Sequence, residues 1–198
     1  MFNLMKKIYL IFIIFIIIIC IFFIPIINKA NSFEGITSSY VSSDIGLFWP
    51  IPEHTYISSY FGRRVSPTGG ASTYHSGLDI PAPEGTPLYA ADDGDITFAS
   101  WGAGGGYTIV LKSSLHNELS FTYCHISPLM YVNRNDHVKK GDFIATVGPK
   151  NVYDIENNPY KDLNGNPTNG ATTGCHLHFT IKENSKAINP LNYYNLEE

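Results

Sequence analysis

The chain predicts an all-β fold, an antiparallel β-sandwich, carried behind an N-terminal transmembrane helix. Three observations predict it. From Phe48 onward, short runs rich in Val, Ile, Thr, Phe and Tyr alternate with Gly, Asp and Asn. The first set suits a pleated, half-buried surface and the second suits turns. No stretch of this region repeats apolar residues at the helical period of about 3.6. Ile8 to Ile27, by contrast, is an almost unbroken run of Ile, Leu and Phe, interrupted only by Tyr9, Cys20 and Pro25.

The apolar run comes first in the chain. A helix of about 20 residues rises about 30 Å, the thickness of a bilayer's hydrocarbon core. Lys6 and Lys7 precede the run and should stay cytoplasmic, which sends the rest of the chain outside the cell membrane as a single-pass protein. A cleaved signal peptide, which would leave the domain secreted, usually has an apolar region of only about 7–15 residues. The nearest small-residue site, Asn28-Lys29-Ala30, has a poor residue three back from the cut. Residues 1–27 are therefore expected to be a cytoplasmic stub and anchor. Residues 28–47, Ser-, Thr- and Asn-rich without apolar period, read as a flexible tether. Residues 48–198 form the folded domain.

Within that domain, strands are expected at Tyr56–Tyr60, Pro87–Ala91, Asp95–Ala99, Tyr107–Lys112, Leu119–His125, Phe143–Val147 and His176–Lys182. Gly102 to Gly106 reads as a flexible surface loop and Gly141-Asp142 as a hairpin turn. Pro149 to Asn169 is a polar segment rich in Asn and Asp, inserted between the Phe143–Val147 strand and the His176–Lys182 strand, and its Asp162–Asn166 stretch reads as a solvated loop. Asp162-Leu163-Asn164-Gly165-Asn166 lacks the acidic partner that would complete a calcium loop. The formal net charge is −4, with two of the 13 Lys and Arg lying ahead of the apolar run. No basic run or phosphate loop is present, which excludes nucleic acid as a partner. Three cysteines, one in the apolar run, do not make a disulfide scaffold.

Chemistry concentrates in three stretches: His75-Ser76-Gly77-Leu78-Asp79, Tyr123-Cys124-His125 and His176-Leu177-His178-Phe179. Four of the seven histidines lie there. On a strand, His176 and His178 leave the same face, as do His75 and Asp79 in an extended segment. Two nitrogens and a carboxylate that converge, with two more imidazoles nearby, suit zinc with a position left for water.

The order HxxxD, YxH, HLHF resembles the lysostaphin/LytM-type zinc endopeptidases, peptidase family M23. The resemblance covers about Ser59 to Tyr194. It includes Phe61-Gly62-Arg63-Arg64, Pro83-Glu84-Gly85-Thr86-Pro87, Val138-Lys139-Lys140-Gly141-Asp142, Thr172-Thr173-Gly174 and Asn189-Pro190-Leu191. It implies one zinc per chain held by His75, Asp79 and His178, with His125 and His176 as the catalytic histidines. It further implies hydrolysis of peptide bonds in bacterial peptidoglycan by a zinc-activated water. His176 would take the proton, and His125 would serve the oxyanion or the leaving amine. The alternatives are a catalytically inactive wall-binding scaffold or activator, and a biotinyl- or lipoyl-type carrier. The five retained site residues speak against the first. The missing Met-Lys-Met or Asp-Lys-Ala turn speaks against the second.

Arg64 and Tyr74 are expected to line the groove or serve the fold. His54, His116 and His137 are expected to be solvated. Strand alternation predicts that Cys124 and Cys175, each one residue before a histidine of the site, both point into the core. There they are two buried thiols or, if close enough, a disulfide.

Overall fold

A computed structural model describes residues 41–196. The apolar run from Ile8 to Ile27 and the tether as far as residue 40 lie outside the described residues. The described chain opens with β1 (Val41–Ser42), β2 (Gly62–Arg63), β3 (Tyr74–His75), β4 (Leu78–Pro81) and β5 (Pro87–Tyr89). The long strands β6 (Gly94–Trp101), β7 (Tyr107–Ser113) and β8 (Leu119–Cys124) follow. After them come β9 (His137–Val138), β10 (Phe143–Thr146), β11 (His176–Glu183), β12 (Lys186–Ile188) and β13 (Asn195–Leu196). Two 3₁₀ turns, Ala103–Gly105 and Pro190–Asn192, are the helical elements among the described residues.

All pairings between these strands are antiparallel. Seven strands form one sheet in the order β12-β11-β8-β7-β6-β9, with β4 also pairing to β11. One edge of β11 is thus shared, β4 taking its first half and β12 its last three residues, while β8 takes the other edge. The facing layer is smaller than a full sandwich sheet. It consists of the β5–β10 ladder and the segment holding Leu47, Trp49 and Ile51, all joined in one core. Three two-stranded ladders stand apart from the large sheet. Val41–Ser42, inside the stretch expected to be tether, pairs with β13, and Leu47 is buried.

Alternation sets which side chains fill the core. Leu119, Phe121 and Tyr123 of β8 and Leu177, Phe179 and Ile181 of β11 are fully buried. The Phe121 and Phe179 rings stack with centroids 6.2 Å apart and planes 8° apart. The Tyr123 hydroxyl accepts from the Ala91 amide at 2.8 Å, so its one polar atom is satisfied.

Two expectations need correction. Tyr56–Tyr60 forms no strand; only an isolated bridge joins Ser59 to Asp79. Tyr56 and Tyr60 are well exposed, so the β-forming composition of this segment had no sheet face to cover. Gly102 to Gly106 is no flexible loop. Its Gly105 carbonyl accepts from the His125 amide at 2.8 Å. Gly106 has φ 64 and packs so closely on Asn169 that no Cβ fits.

Phe179→Ala would empty the centre of the core beneath β11. A loss of about 3–5 kcal/mol in unfolding free energy is expected by chemical denaturation. A loss under about 1 kcal/mol would mean that the stack is not central.

Candidate active site

The site is built on the sheet face opposite the core. Leu177, Phe179 and Ile181 occupy one face of β11, so His176, His178, Thr180 and Lys182 leave on the other. β4 pairs with β11 in a register that sets Asp79 opposite His178. His75 ends β3, three residues before β4 begins. The turn between them passes over β11 so tightly that a Cβ on Gly77 would strike the Phe179 carbonyl. Histidine and carboxylate thus arrive from two directions at one point.

His75 Nε2 lies 3.0 Å from Asp79 Oδ1 and 2.9 Å from His178 Nδ1, and His178 Nδ1 lies 2.8 Å from Asp79 Oδ1. The Tyr60 carbonyl assigns the His75 tautomer, accepting from Nδ1–H at 2.9 Å. His178 Nε2 lies 3.0 Å from Thr180 Oγ1, a hydroxyl that can accept from it or donate to it. Neutral His75 therefore turns a lone pair on Nε2 toward the carboxylate, and His178 does the same with Nδ1 when its proton sits on Nε2. Three acceptors at one point repel one another unless a cation lies among them. Bonds of about 2.0–2.2 Å to zinc put neighbouring donors roughly 3.3 Å apart, close to the separations here. The donor set fits zinc.

His176 stands beside this cluster, with Nε2 3.4 Å from Asp79 Oδ1 and Nδ1–H donating to the Gly174 carbonyl at 2.9 Å. His125 comes from the far side, its ring centroid 4.7 Å from that of His176 and 6.2 Å from that of His178. Its Nδ1–H donates to the Asn169 carbonyl at 2.7 Å, which leaves Nε2 bare. All five residues singled out from the sequence thus gather here. His54, His116 and His137 do not line this groove. His137 is exposed, as expected, 2.9 Å from Asp95, while His116 is half-buried 2.7 Å from Asp92.

Burial alone would raise the Asp79 pKa; with no cation bound, hydrogen bonds from His176, His178 and His75, in forms that carry a proton on the near nitrogen, outweigh it and hold the carboxyl well below the usual range. Burial pushes His178 down. Burial, reinforced by His176 and His178, pushes His125 down to about 3. Both rings are neutral at physiological pH, the form that offers a lone pair.

The cysteine expectation fails at one residue. β8 ends at Cys124, and His125 takes φ 57, a left-handed turn that breaks strand alternation. Tyr123 enters the core, while Cys124, paired in register with His178, faces the groove. Cys175 packs against the core. Both thiols are free, Cys124 buried and Cys175 half-buried. Burial pushes the Cys124 thiol up to about 11.

Asn169 was not visible as a functional residue, yet it is fully buried at the hub of the site. Beyond its carbonyl contact to His125, its Oδ1 accepts from the Tyr107 amide at 2.9 Å. Its Nδ2 donates to the Ile126 carbonyl at 2.9 Å. The only sequence signal was an Asn before Gly, which also reads as an ordinary turn. The polar segment before it is anchored at Val152, Asn158 and Thr168, which are buried, while Leu163 at its tip is fully exposed, as expected of a solvated loop there. Lys150 pairs with Asp162 at 3.1 Å, so a cationic side chain already answers that carboxylate.

A groove crosses the cluster of His75, Asp79 and His178. One half runs past Tyr74, Thr122 and Lys182, and the other past Val65, Thr173 and Cys175. Arg64, His125, Ala171 and His178 border both halves.

His125 has a folded pKa of about 3 against 6.5 in the open chain. Its contribution to stability is therefore whole above pH 6.5 and is lost as pH falls toward 3. In metal-free protein, unfolding free energy should fall through this window. His125→Asn should reduce that slope by up to one proton, about 1.4 kcal/mol per pH unit. Denaturant titrations between pH 7 and about 4.5 measure it, and an unchanged slope would show that His125 is not buried neutral.

Residues 73–190 match the family model of peptidase family M23. The DD-carboxypeptidase/endopeptidase Mpg of Neisseria meningitidis is 31% identical over 138 residues, which cover 70% of this chain and 27% of that protein. The chain thus spans about a quarter of the length of this relative. The catalytic domain of the antimicrobial peptidase lysostaphin from Staphylococcus simulans superposes with a TM-score of 0.53 at 27% identity, covering 69% of this chain and 90% of that one. A zinc-containing peptidase from Vibrio cholerae superposes with a TM-score of 0.54 at 25% identity, covering 71% and 37%. With the family model spanning more than half of the sequence, and the histidines and aspartate of its motifs gathered at one point, the chain belongs to peptidase family M23.

Proposed function

We propose that the protein is a membrane-anchored zinc metalloendopeptidase that hydrolyses peptide bonds in bacterial peptidoglycan. One observation carries the reading: the donor atoms of His75, Asp79 and His178 lie within 4.8 Å of one another, beside two histidines that hold no place among them. The named activities of Mpg and lysostaphin and the zinc of the Vibrio cholerae peptidase support it.

His75 Nε2, Asp79 Oδ1 and His178 Nδ1 would hold the zinc. Bound there, zinc supplies a water acidified toward a pKa of about 7 and a Lewis acid for a peptide carbonyl. The remaining chemistry is the chain's own. His176, fixed through Nδ1–H to Gly174, presents Nε2 as a proton acceptor. His125 rests unprotonated with Nε2 facing the groove, so it can donate to the oxyanion or the leaving amine only after receiving a proton. Two imidazoles with centroids 4.7 Å apart can share the single proton that the reaction moves. Backbone contacts to Asn169 and Gly174 fix both rings, so little reorganisation is needed during turnover.

Digestion of purified sacculi by the soluble domain, with mass spectrometry of the fragments, tests the reading. Release of peptide fragments without glycan cleavage is expected, and intact sacculi would refute it. His125→Ala and His176→Ala should each keep zinc but lose roughly 10²–10⁴-fold in turnover. His178→Ala should lose most of its zinc, as read by elemental analysis. Equal zinc loss in the His176 and His178 variants would overturn the division of roles.

The anchor belongs to the same proposal and rests on Lys6, Lys7 and the apolar run that follows. Protease added to intact spheroplasts should remove the domain and spare cytosolic markers. A mature chain starting near Asn31 would show a cleaved signal instead.

A further inference from the structure

We infer that Arg64 is the positioning residue that fixes Asp79 as a one-oxygen metal ligand and ties it to His75. This rests on the zinc reading above. Arg64 follows the β2–β3 ladder, with its amide donating to the Thr73 carbonyl at 2.9 Å, so its side chain is aimed beneath the His75 motif. Its Nη1 donates to Asp79 Oδ2 at 2.7 Å and to Ser59 Oγ at 2.6 Å. Ser59 Oγ in turn lies 3.2 Å from His75 Nδ1. One guanidinium nitrogen therefore reaches the back of two ligand residues at once.

The division of the carboxylate is the central point. Asp79 Oδ1 faces His75 and His178, while Oδ2 is held by Arg64. A free carboxylate can rotate and offer both oxygens to a cation. Arg64 blocks that rotation with a charge-assisted hydrogen bond, the strong kind, in a setting where both side chains are at least four-fifths covered. Partners behind metal ligands commonly set ligand orientation in this way.

A second observation concerns the rest of the guanidinium. Its Nε is buried without a partner among the described residues. A buried donor left unpaired costs free energy, and such groups in folded proteins call for a functional explanation. The guanidinium gives up that hydrogen bond while Nη1 keeps its grip on Asp79 and Ser59. Lysine would replace it only in part, because its ammonium ends a flexible stem and lacks the rigid planar guanidinium that aims Nη1 at both oxygens.

The test is zinc affinity, measured by competition with a chromophoric chelator and independent of peptidase activity. Arg64→Ala should bind zinc roughly 10–100-fold more weakly than the parent. Arg64→Lys should fall between the two. With Co²⁺ in place of zinc, the visible absorption of Arg64→Ala should weaken as the freed carboxylate raises the coordination number. Circular dichroism of the metal-free forms separates this from misfolding. Folded Arg64→Ala with parental zinc affinity and an unchanged Co²⁺ spectrum would overturn the inference. Should Arg64→Ala fail to fold, Arg64→Lys decides: parental affinity and spectrum overturn it, and weakened binding supports it. A parent protein that binds no zinc would instead refute the metallopeptidase reading itself.

Discussion

The whole site depends on one ladder register, the pairing of β4 with β11 that sets Asp79 opposite His178. Side chains alternate with period two, so a slip of one residue would send His176 and His178 into the core and expose Leu177 and Phe179. The register is held from behind. Phe179 stacks on Phe121 and lies against Tyr123, and both of those rings belong to β8, the strand on the other edge of β11. The hydrophobic core therefore does more than stabilise the sheet. It fixes which face of β11 carries imidazole.

Given that register, electrostatics sets the protonation of the cluster. A buried carboxylate would be costly alone, and with no cation present the hydrogen bonds it receives from the surrounding imidazoles offset that cost. Together they hold Asp79 ionised while burial holds His125 and His178 neutral. That combination is the protonation state a zinc ion requires of its ligands. The outer nitrogens each have a specific partner: Tyr60 for His75, Thr180 for His178, Asn169 for His125 and Gly174 for His176. Three of these four are backbone carbonyls, which do not titrate and do not change rotamer.

Much of this was legible in the residues. The β character, the long strands near Asp95–Ala99, Tyr107–Lys112 and His176–Lys182, and the five polar residues at the site all followed from composition, alternation and motif order. What was not legible depends on backbone dihedrals and on long-range contacts. The strand reading of Leu119–His125 carried alternation one residue too far: Cys124 follows core-facing Tyr123 onto the groove side, and the φ of 57 at His125 lets that ring face the groove as well. Tyr56–Tyr60 has strand composition but receives only one bridge. Asn169 carries no local signal, because its role depends on Tyr107, Ile126 and His125, each more than forty residues away.

The segment from Pro149 to Thr168 shows how far a polar stretch can depart from a solvated loop when its ends are tied. Its two arms meet in the Asn151–Thr168 bridge, and Asn158 Nδ2 donates to the Thr168 carbonyl at 2.8 Å. Tyr107 donates to Asp154, joining the segment to β7. The Tyr160 ring packs against Gly70, and its hydroxyl end lies against Gly104, two residues that wall the same half of the groove. At the base of the segment sits Asn169, whose carbonyl orients His125. The insertion is therefore mechanically continuous with the site. It reaches both walls of one half of the groove and, through Asn169, a catalytic candidate ring. Closing such a loop costs entropy that grows only slowly with its length. A cost of that size is readily offset by a few buried side chains and hydrogen bonds, which is why an Asn- and Asp-rich stretch can stand as part of the site's framework.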